Sequence, residues 1–254
     1  MLSRNQIKFI ASLQQKKFRK LHGLFVVEGP KLVFELLESN FKLESLYVVE
    51  NILDEGTYNF SGTEAEVVAI SEKDLQRISG MKSPNEMIAI VRIPKQPEIP
   101  GAIFKELVIY LDQLQDPGNF GTILRTADWF GIKNIVCSPD TAEIYNPKII
   151  QASMGSFTRI RAYYEDFEDL IREAPKGLPV YATLLEGKSI YQAKLSTPAI
   201  IIVGNESRGI SKELLPFVSE KITIPSPQDH TKPESLNAAV AAALVMAEFR
   251  RQMA

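Results

Sequence analysis

Two periods alternate along the chain, and the switches between them predict the elements. Over residues 6–13 apolar side chains recur at helical spacing, and a basic turn follows. Leu24-Phe25-Val26-Val27 is a short unbroken apolar run ending at Glu28-Gly29, the pattern of a strand. Leu32, Val33, Leu36 and Leu37 then share one helical face. Residues 45–49, 66–69 and 87–91 read as further strands, with a helix over 71–78 that Ser71 caps. The first part of the chain is thus a small α/β sandwich.

The later part repeats the alternation with more force. Strands are predicted over 107–111, 134–137, 179–183, 199–203 and 221–224, separated by helical segments. A run such as Ile200-Ile201-Ile202-Val203 has no polar face, which suits a parallel strand covered on both sides. The ligand crevice of such a sheet lies beyond the carboxyl ends of its strands. Between the two parts, residues 93–101 (IPKQPEIPG) hold three prolines and a glycine, which neither a helix nor a central strand accepts. The expected division is a domain over 1–93, a linker over 94–101 and a second domain over 102–254.

Composition narrows the classes. At 254 residues, 45% hydrophobic and 24% charged, the chain can bury a full core without disulfides or a metal. One cysteine, Cys137, excludes an intramolecular disulfide framework, and with only His22 and His230 beside it no structural zinc site is expected. No apolar run approaches a bilayer span and the first twenty residues lack a signal-like apolar stretch, so a cytoplasmic protein without membrane or metal partners is expected. Net charge is −2, but its distribution is uneven. Up to Lys31 the basic residues are Arg4, Lys8, Lys16, Lys17, Arg19, Lys20 and Lys31, against Glu28 alone. Such a cluster neutralises phosphates as readily as it solvates a helix face, and charge by itself does not choose between the two.

Three loops that follow predicted strands could carry chemistry. Residues 112–121 (DQLQDPGNFG) turn tightly through Pro117, Gly118 and Gly121, with Asn119 able to cap a helix that carries Arg125 one to two turns on. Gly204-Asn205-Glu206-Ser207-Arg208-Gly209 follows the apolar 200–203 run, and its glycines permit close backbone approach to a ligand. Ile224-Pro225 leads through residues 226–234 to Ser235-Leu236-Asn237 and an alanine-rich helix ending near Arg250-Arg251. There is no phosphate-binding P-loop, no G-x-G-x-x-G and no nucleophile elbow, so hydride transfer and triad hydrolysis are poorly supported. Trp129, Phe130 and Cys137 are expected in the core.

Taken together the loops resemble the three motifs of the SpoU (TrmH-like) family of RNA ribose 2′-O-methyltransferases, in the SPOUT superfamily. QDPGNFGTILRTA over 115–127 resembles the first, GNESRGI over 204–210 the second, and Ile224-Pro225 with SLNAAVA over 235–241 the third. Ala152-Ser153-Met154-Gly155-Ser156 is similar to another family segment. Residues 18–31 are similar to the substrate-binding domain often placed ahead of the catalytic one. The third motif departs from the usual Ile-Pro-Met-x-Gly: here no glycine separates Pro225 from Ser235.

The resemblance implies an α/β chain with an N-terminal L30e-like sandwich and a C-terminal SPOUT domain containing a trefoil knot, acting as a homodimer. It implies S-adenosylmethionine as cofactor, held by Gly204, Asn205, Gly209, Ile224 and Leu236, with Thr183 and Leu184 as neighbours. It gives Arg125 the central catalytic role, supported by Asn119, Glu206, Ser235 and Asn237. The basic cluster then reads as an RNA-docking surface formed by Lys16, Lys17, Arg19 and Lys20. Ribosomal RNA is the favoured substrate; transfer RNA, or a non-catalytic RNA- or ribosome-binding factor of the same fold, are the alternatives.

Overall fold

The computed structural model describes residues 1–56, 58–60, 63–96, 98–226 and 235–253. Two compact units emerge: one made of residues 1–95 and 143–158, the other of 96–142 and 159–254. Residues 143–158, part of the stretch expected in the second domain, thus pack with the first unit.

In the first unit β1 (Leu24–Glu28), β4 (Met87–Arg92), β2 (Leu43–Val49) and β3 (Glu66–Ile70) lie in that order, antiparallel except for the β2–β3 pair. α1 (Arg4–Ser12) and α5 (Glu72–Ile78) cover one face, where Ile7, Ile10, Leu13, Leu75 and Ile78 meet Val26, Ile88 and Ile90. Ser71 caps α5 by accepting from the Asp74 amide at 3.2 Å. The predicted basic turn is a helix instead, α2 (Lys16–His22), closed by Gly23 in the left-handed conformation. Its period is hidden because five of its seven residues are basic or histidine and only Phe18 and Leu21 are apolar. α3 (Pro30–Leu37) and α4 (Glu50–Asp54) are the remaining helices among the described residues of 1–95.

Residues 143–158, including α7 (Pro147–Ser153), sit on this unit through an aromatic cluster. Phe25 packs on Tyr145 at 4.6 Å between centroids, and Phe41 on Phe157 at 5.7 Å. The Gln151 side chain donates to the Glu28 carbonyl at 2.9 Å.

Among the described residues the second unit holds six strands: β10 (Glu220–Thr223), β8 (Val180–Ser189), β9 (Ala199–Val203), β5 (Leu107–Leu111), β6 (Asn134–Cys137) and β7 (Arg161–Tyr164), in that order and all parallel. β7 was not predicted, since its Arg-Ala-Tyr-Tyr sequence offers neither an apolar run nor clean alternation. β5 and β9 are buried at every position, as parallel strands covered on both faces must be. On one face Val108, Tyr110, Ile200 and Ile202 pack with Phe167 and Leu170 of α8 (Phe167–Glu173). Two long helices, α6 (Pro117–Trp129) and α9 (Ala238–Met253), pack against each other. The predicted strand over 179–183 extends to Ser189, but not as one ladder. β10 pairs its Lys221 with Ala182 and its next residue, Ile222, with Lys188, so residues 183–187 leave the sheet as a bulge.

Candidate functional site

The three loops converge at the carboxyl ends of β5, β9 and β10. Asp116 caps α6, accepting from the Asn119 amide at 2.7 Å. Asn119 is therefore not the cap, and its side chain is free to reach across. Its Nδ2 donates to Glu206 Oε1 at 3.0 Å, and its Oδ1 accepts from Asn237 Nδ2 at 2.8 Å. The remaining oxygen of Asn237 caps α9, accepting from the amides of Ala239 and Val240 at 2.9 and 3.2 Å. One amide side chain from each of two helices and one carboxylate from a loop thus join all three segments. One of these hydrogen bonds is to a carboxylate and the Asn237 oxygen is held by two helix amides, so the cluster orients both amide side chains.

The loop after β9 is held as tightly. Asn205 and Gly209 exchange backbone hydrogen bonds, each at 2.9 Å. The Asn205 side chain accepts from the Ser207 and Arg208 amides and donates to the Gln113 carbonyl at 2.7 Å. A Cβ on Gly204 would stand 2.5 Å from the Gly209 carbonyl carbon, so only glycine permits this fold-back. The Ser211 amide donates to Asp112 Oδ2 at 2.6 Å, tying the loop to the end of β5.

The other cofactor candidates surround that loop. Thr183 and Leu184 begin the β8 bulge, and the Thr183 hydroxyl donates to the Ile202 carbonyl at 2.8 Å, which marks where β8 parts from β9. Leu184 and Ile224 are half-buried and Leu236 is exposed. These apolar side chains beside the loop backbone fit an adenosyl group, which needs a flat apolar slot and a few directional polar contacts. Residues 227–234 of the unusual third loop, with His230, lie outside the described residues.

Arg125 stands apart from the cluster. It is six residues beyond Asn119, about 9 Å along the helix axis. It is exposed and makes no ion pair or hydrogen bond among the described residues. The expected hold of Asn119, Glu206 and Asn237 on Arg125 is therefore indirect, through α6 itself. Ser235 is exposed and joins no hydrogen bond with the cluster among the described residues.

Two expectations are corrected. Arg19 is not at the surface: its side chain is 2% exposed, donating to the Leu13 and Gln14 carbonyls at 3.1 and 2.9 Å and pairing with Glu143 at 2.9 Å. Its guanidinium is buried and directs four of its five N–H groups to Leu13, Gln14 and Glu143, out of reach of a phosphate, while Lys16, Lys17 and Lys20 are exposed. Trp129 is not core but 85% exposed. The buried stripe of α6 is Phe120, Ile123, Leu124 and Ala127, and Trp129 falls outside it, on the side that Thr122 and Arg125 occupy. Phe130 is half-buried; Cys137 is buried, which pushes its thiol pKa far up and leaves it inert.

Among the described residues no group of three or more His, Cys, Asp or Glu side chains is placed to hold a metal ion, and no helix is long and apolar enough to cross a membrane. A cavity of about 450 Å³ opens near the ends of β5 and β6, lined by Asp112, Asp140, Asp166 and Asp169 among others. Its carboxylates make it a poor seat for any phosphate.

A parallel sheet whose strand ends carry interlocked loops and a glycine-only fold-back, with the exposed side chain of Arg125 on the helix that follows, is an α/β domain with the features of a ligand site at its strand ends. Residues 106–247 match the SpoU rRNA Methylase family, and residues 4–89 the MRM3-like substrate binding domain. The chain belongs to the SpoU rRNA methylase family. It is 29% identical over 251 residues to the 23S rRNA (guanosine(2553)-2'-O)-methyltransferase RlmP of Bacillus subtilis, covering 98% of this chain and 97% of that one. A TrmH-family protein from Porphyromonas gingivalis superposes with a TM-score of 0.85 at 39% identity, over 99% of each chain. The AdoMet-bound rRNA methyltransferase from Sinorhizobium meliloti does so at 0.85 and 28% identity, over 100% of this chain and 97% of that one.

Proposed function

We infer that this protein methylates a ribose 2′-hydroxyl in ribosomal RNA, with S-adenosylmethionine as methyl donor. The observation that carries the reading is the Asn119–Glu206–Asn237 cluster, which locks the three family motifs together on the helix that presents Arg125. S-adenosylmethionine supplies a methyl on a positively charged sulfur; transfer makes the O2′–carbon bond, returns the bonding pair to sulfur and releases the hydroxyl proton to water.

The chain's own contribution is placement and charge. Gly204, Asn205, Gly209, Thr183, Leu184, Ile224 and Leu236 form the cofactor slot. Arg125 is a cation at every relevant pH, because a guanidinium is not deprotonated in proteins. It serves by holding the phosphate next to the target ribose and stabilising negative charge as it grows on O2′, not by removing the proton. Asn119, Glu206 and Asn237 act as positioning residues that set the start of α6 and hence the Arg125 side chain. Ser235 lies next to Leu236 and is offered to the ribose.

The family likeness further supports an L30e-like first domain and a trefoil knot in the second, the knot being consistent with the bonds that bind the start of α9 back to α6. A homodimer is supported by apolar side chains left exposed on those two helices: Trp129 of α6 and Val240 and Leu244 of α9. Trp129 is the only tryptophan, so its fluorescence reports directly whether a second copy covers it. An RNA substrate and the basic face of α1 and α2 fit a cytoplasmic enzyme.

The test is transfer of labelled methyl from S-adenosylmethionine to total RNA from a strain lacking the gene, with wild type and Arg125→Ala side by side. Label in ribosomal RNA, lost in the variant, is expected. Label confined to transfer RNA would move the target, and RNA binding without label would make this a non-catalytic factor. Retained turnover in Arg125→Ala would end the proposed role of that residue.

A further inference from the structure

α1 and α2 carry Arg4, Lys8, Lys16, Lys17 and Lys20, all exposed, and no acidic residue precedes Glu28. Charge is only part of what α2 presents. Arg19 points inward, so the outward side of this short helix centres on Lys17 and Leu21, one turn apart, with Lys20 and Phe18 on either flank. Leu21 is 68% exposed, His22 is exposed and Phe18 half-buried. The Phe18 and His22 rings are 10° from parallel, 6.4 Å between centroids. Phe9 of α1 supports His22 edge-on at 5.0 Å, and the Lys17 ammonium stands 5.9 Å from the Phe18 ring.

A surface built for duplex phosphates needs cations on flexible stems and nothing else. Here an apolar and aromatic flank of α2 (Leu21, Phe18 and His22) is held open to water beside its lysine flank. Bases inside a duplex already stack on one another and cannot use such a platform, whereas an unstacked base can. The His22 ring is pre-set by two neighbours, so little freedom is lost when a base settles on it.

We propose that α2 grips an unpaired stretch of the RNA substrate: Lys16, Lys17 and Lys20 hold successive phosphates, and the Leu21–His22 surface backed by Phe18 stacks a base. The proposal rests on RNA being the substrate and adds which RNA conformation the first unit selects. Because it concerns binding without cofactor, it stands or falls separately from methyl transfer.

The experiment measures binding of the full-length protein to a short labelled oligoribonucleotide, single-stranded and annealed to its complement, over a series of salt concentrations. His22→Ala is expected to weaken the single strand about tenfold, with the salt slope unchanged and duplex binding unaffected. His22→Phe keeps a flat ring and should retain the affinity, which separates stacking from any loss of fold. Each of Lys16→Gln, Lys17→Gln and Lys20→Gln should lower the salt slope on the single strand by about 0.7. Equal losses on both RNAs for His22→Ala would overturn the stacking role. Unchanged RNA binding in all these variants would overturn the whole proposal.

Discussion

Two arginines, one in each unit, invite opposite mistakes. Arg19 sits in a run of lysines and looks like one more surface cation, yet it is sealed inside the first unit with two carbonyls and Glu143 around it. Arg125 lies among apolar helix residues, yet it stands in water with nothing to hold among the described residues. A buried guanidinium must satisfy donors fixed in a planar fork, and doing so makes it a structural tie. One left exposed and uncommitted retains its donors for a ligand. The difference lies in which side of the helix each residue occupies, not in the charge around it in sequence.

That contrast is broken most directly at Arg19. Arg19→Ala leaves Glu143 facing a largely dry site without its counter-charge, and stability should fall by about 3–5 kcal/mol, read as a shift in the urea midpoint. Glu143 also anchors the segment 143–158, so that segment should gain protease sensitivity first. The double variant Arg19→Met with Glu143→Leu should recover much of the loss, since an apolar pair of similar size often replaces a buried ion pair without penalty. An unchanged midpoint in Arg19→Ala would mean that the pair is no tie at all.

Arg125→Ala should give the opposite signature. Methyl transfer should drop about 10²–10³-fold, the usual range for one lost charge-stabilising donor, while the urea midpoint stays in place. Arg125→Lys should restore only part of the rate, because an ammonium cannot hold a phosphate in two-pronged fashion. A midpoint that moved with the rate would place Arg125 in the same structural class as Arg19.

A smaller effect separates positioning from contact. Asn119→Ala removes the hydrogen bonds to Glu206 and to Asn237, and Asn237→Ala removes the bond to Asn119 together with the cap of α9; each should slow turnover about tenfold, in line with roughly 1–1.5 kcal/mol for the shared bond. Because both act through one cluster, the double variant should be barely slower than either alone. Fully multiplicative losses would show that the two residues act independently.

Much of this frame is legible in the sequence because it follows from period and composition. Ile200 to Val203 admits no exposed face, and Ser71 accepts from the amide that a helix start leaves free. Other features depend on facing. Trp129 could have been placed outside by applying the Phe120–Ile123–Leu124–Ala127 spacing strictly, since it falls off that stripe. The β8 bulge and the packing of residues 143–158 with the first unit depend on partners far away in sequence, and no local pattern records them. The three motifs name Asn119, Glu206 and Asn237. Their direct bonding, and the separation of Arg125 from it, required three dimensions.

Arg251 lies between the two extremes, exposed yet paired, and gives the smallest effect. It donates twice to Glu248 at 2.7 and 2.8 Å within α9, and Gln252 adds a third hydrogen bond at 2.7 Å. The Arg251 hydrogen bonds first, then that of Gln252, pull the Glu248 pKa down from 4.5 to about 2, against a burial that would raise it. A carboxylate whose pKa is depressed by folding contributes stability above its unfolded pKa and loses it as pH falls through the folded one. The contribution is therefore complete above about pH 4.5 and should fade between there and about pH 2. The measurement is the urea midpoint across that window for wild type and Glu248→Gln. The two curves should differ at neutral pH and converge toward pH 2, because protonation turns the wild-type side chain into a near match of the amide. Added salt should shrink the neutral-pH gap, since the Arg251 side chain is mostly in solvent. Curves that stay parallel across the window would show that Glu248 keeps an ordinary pKa and that an exposed arginine, paired or not, adds little to the fold.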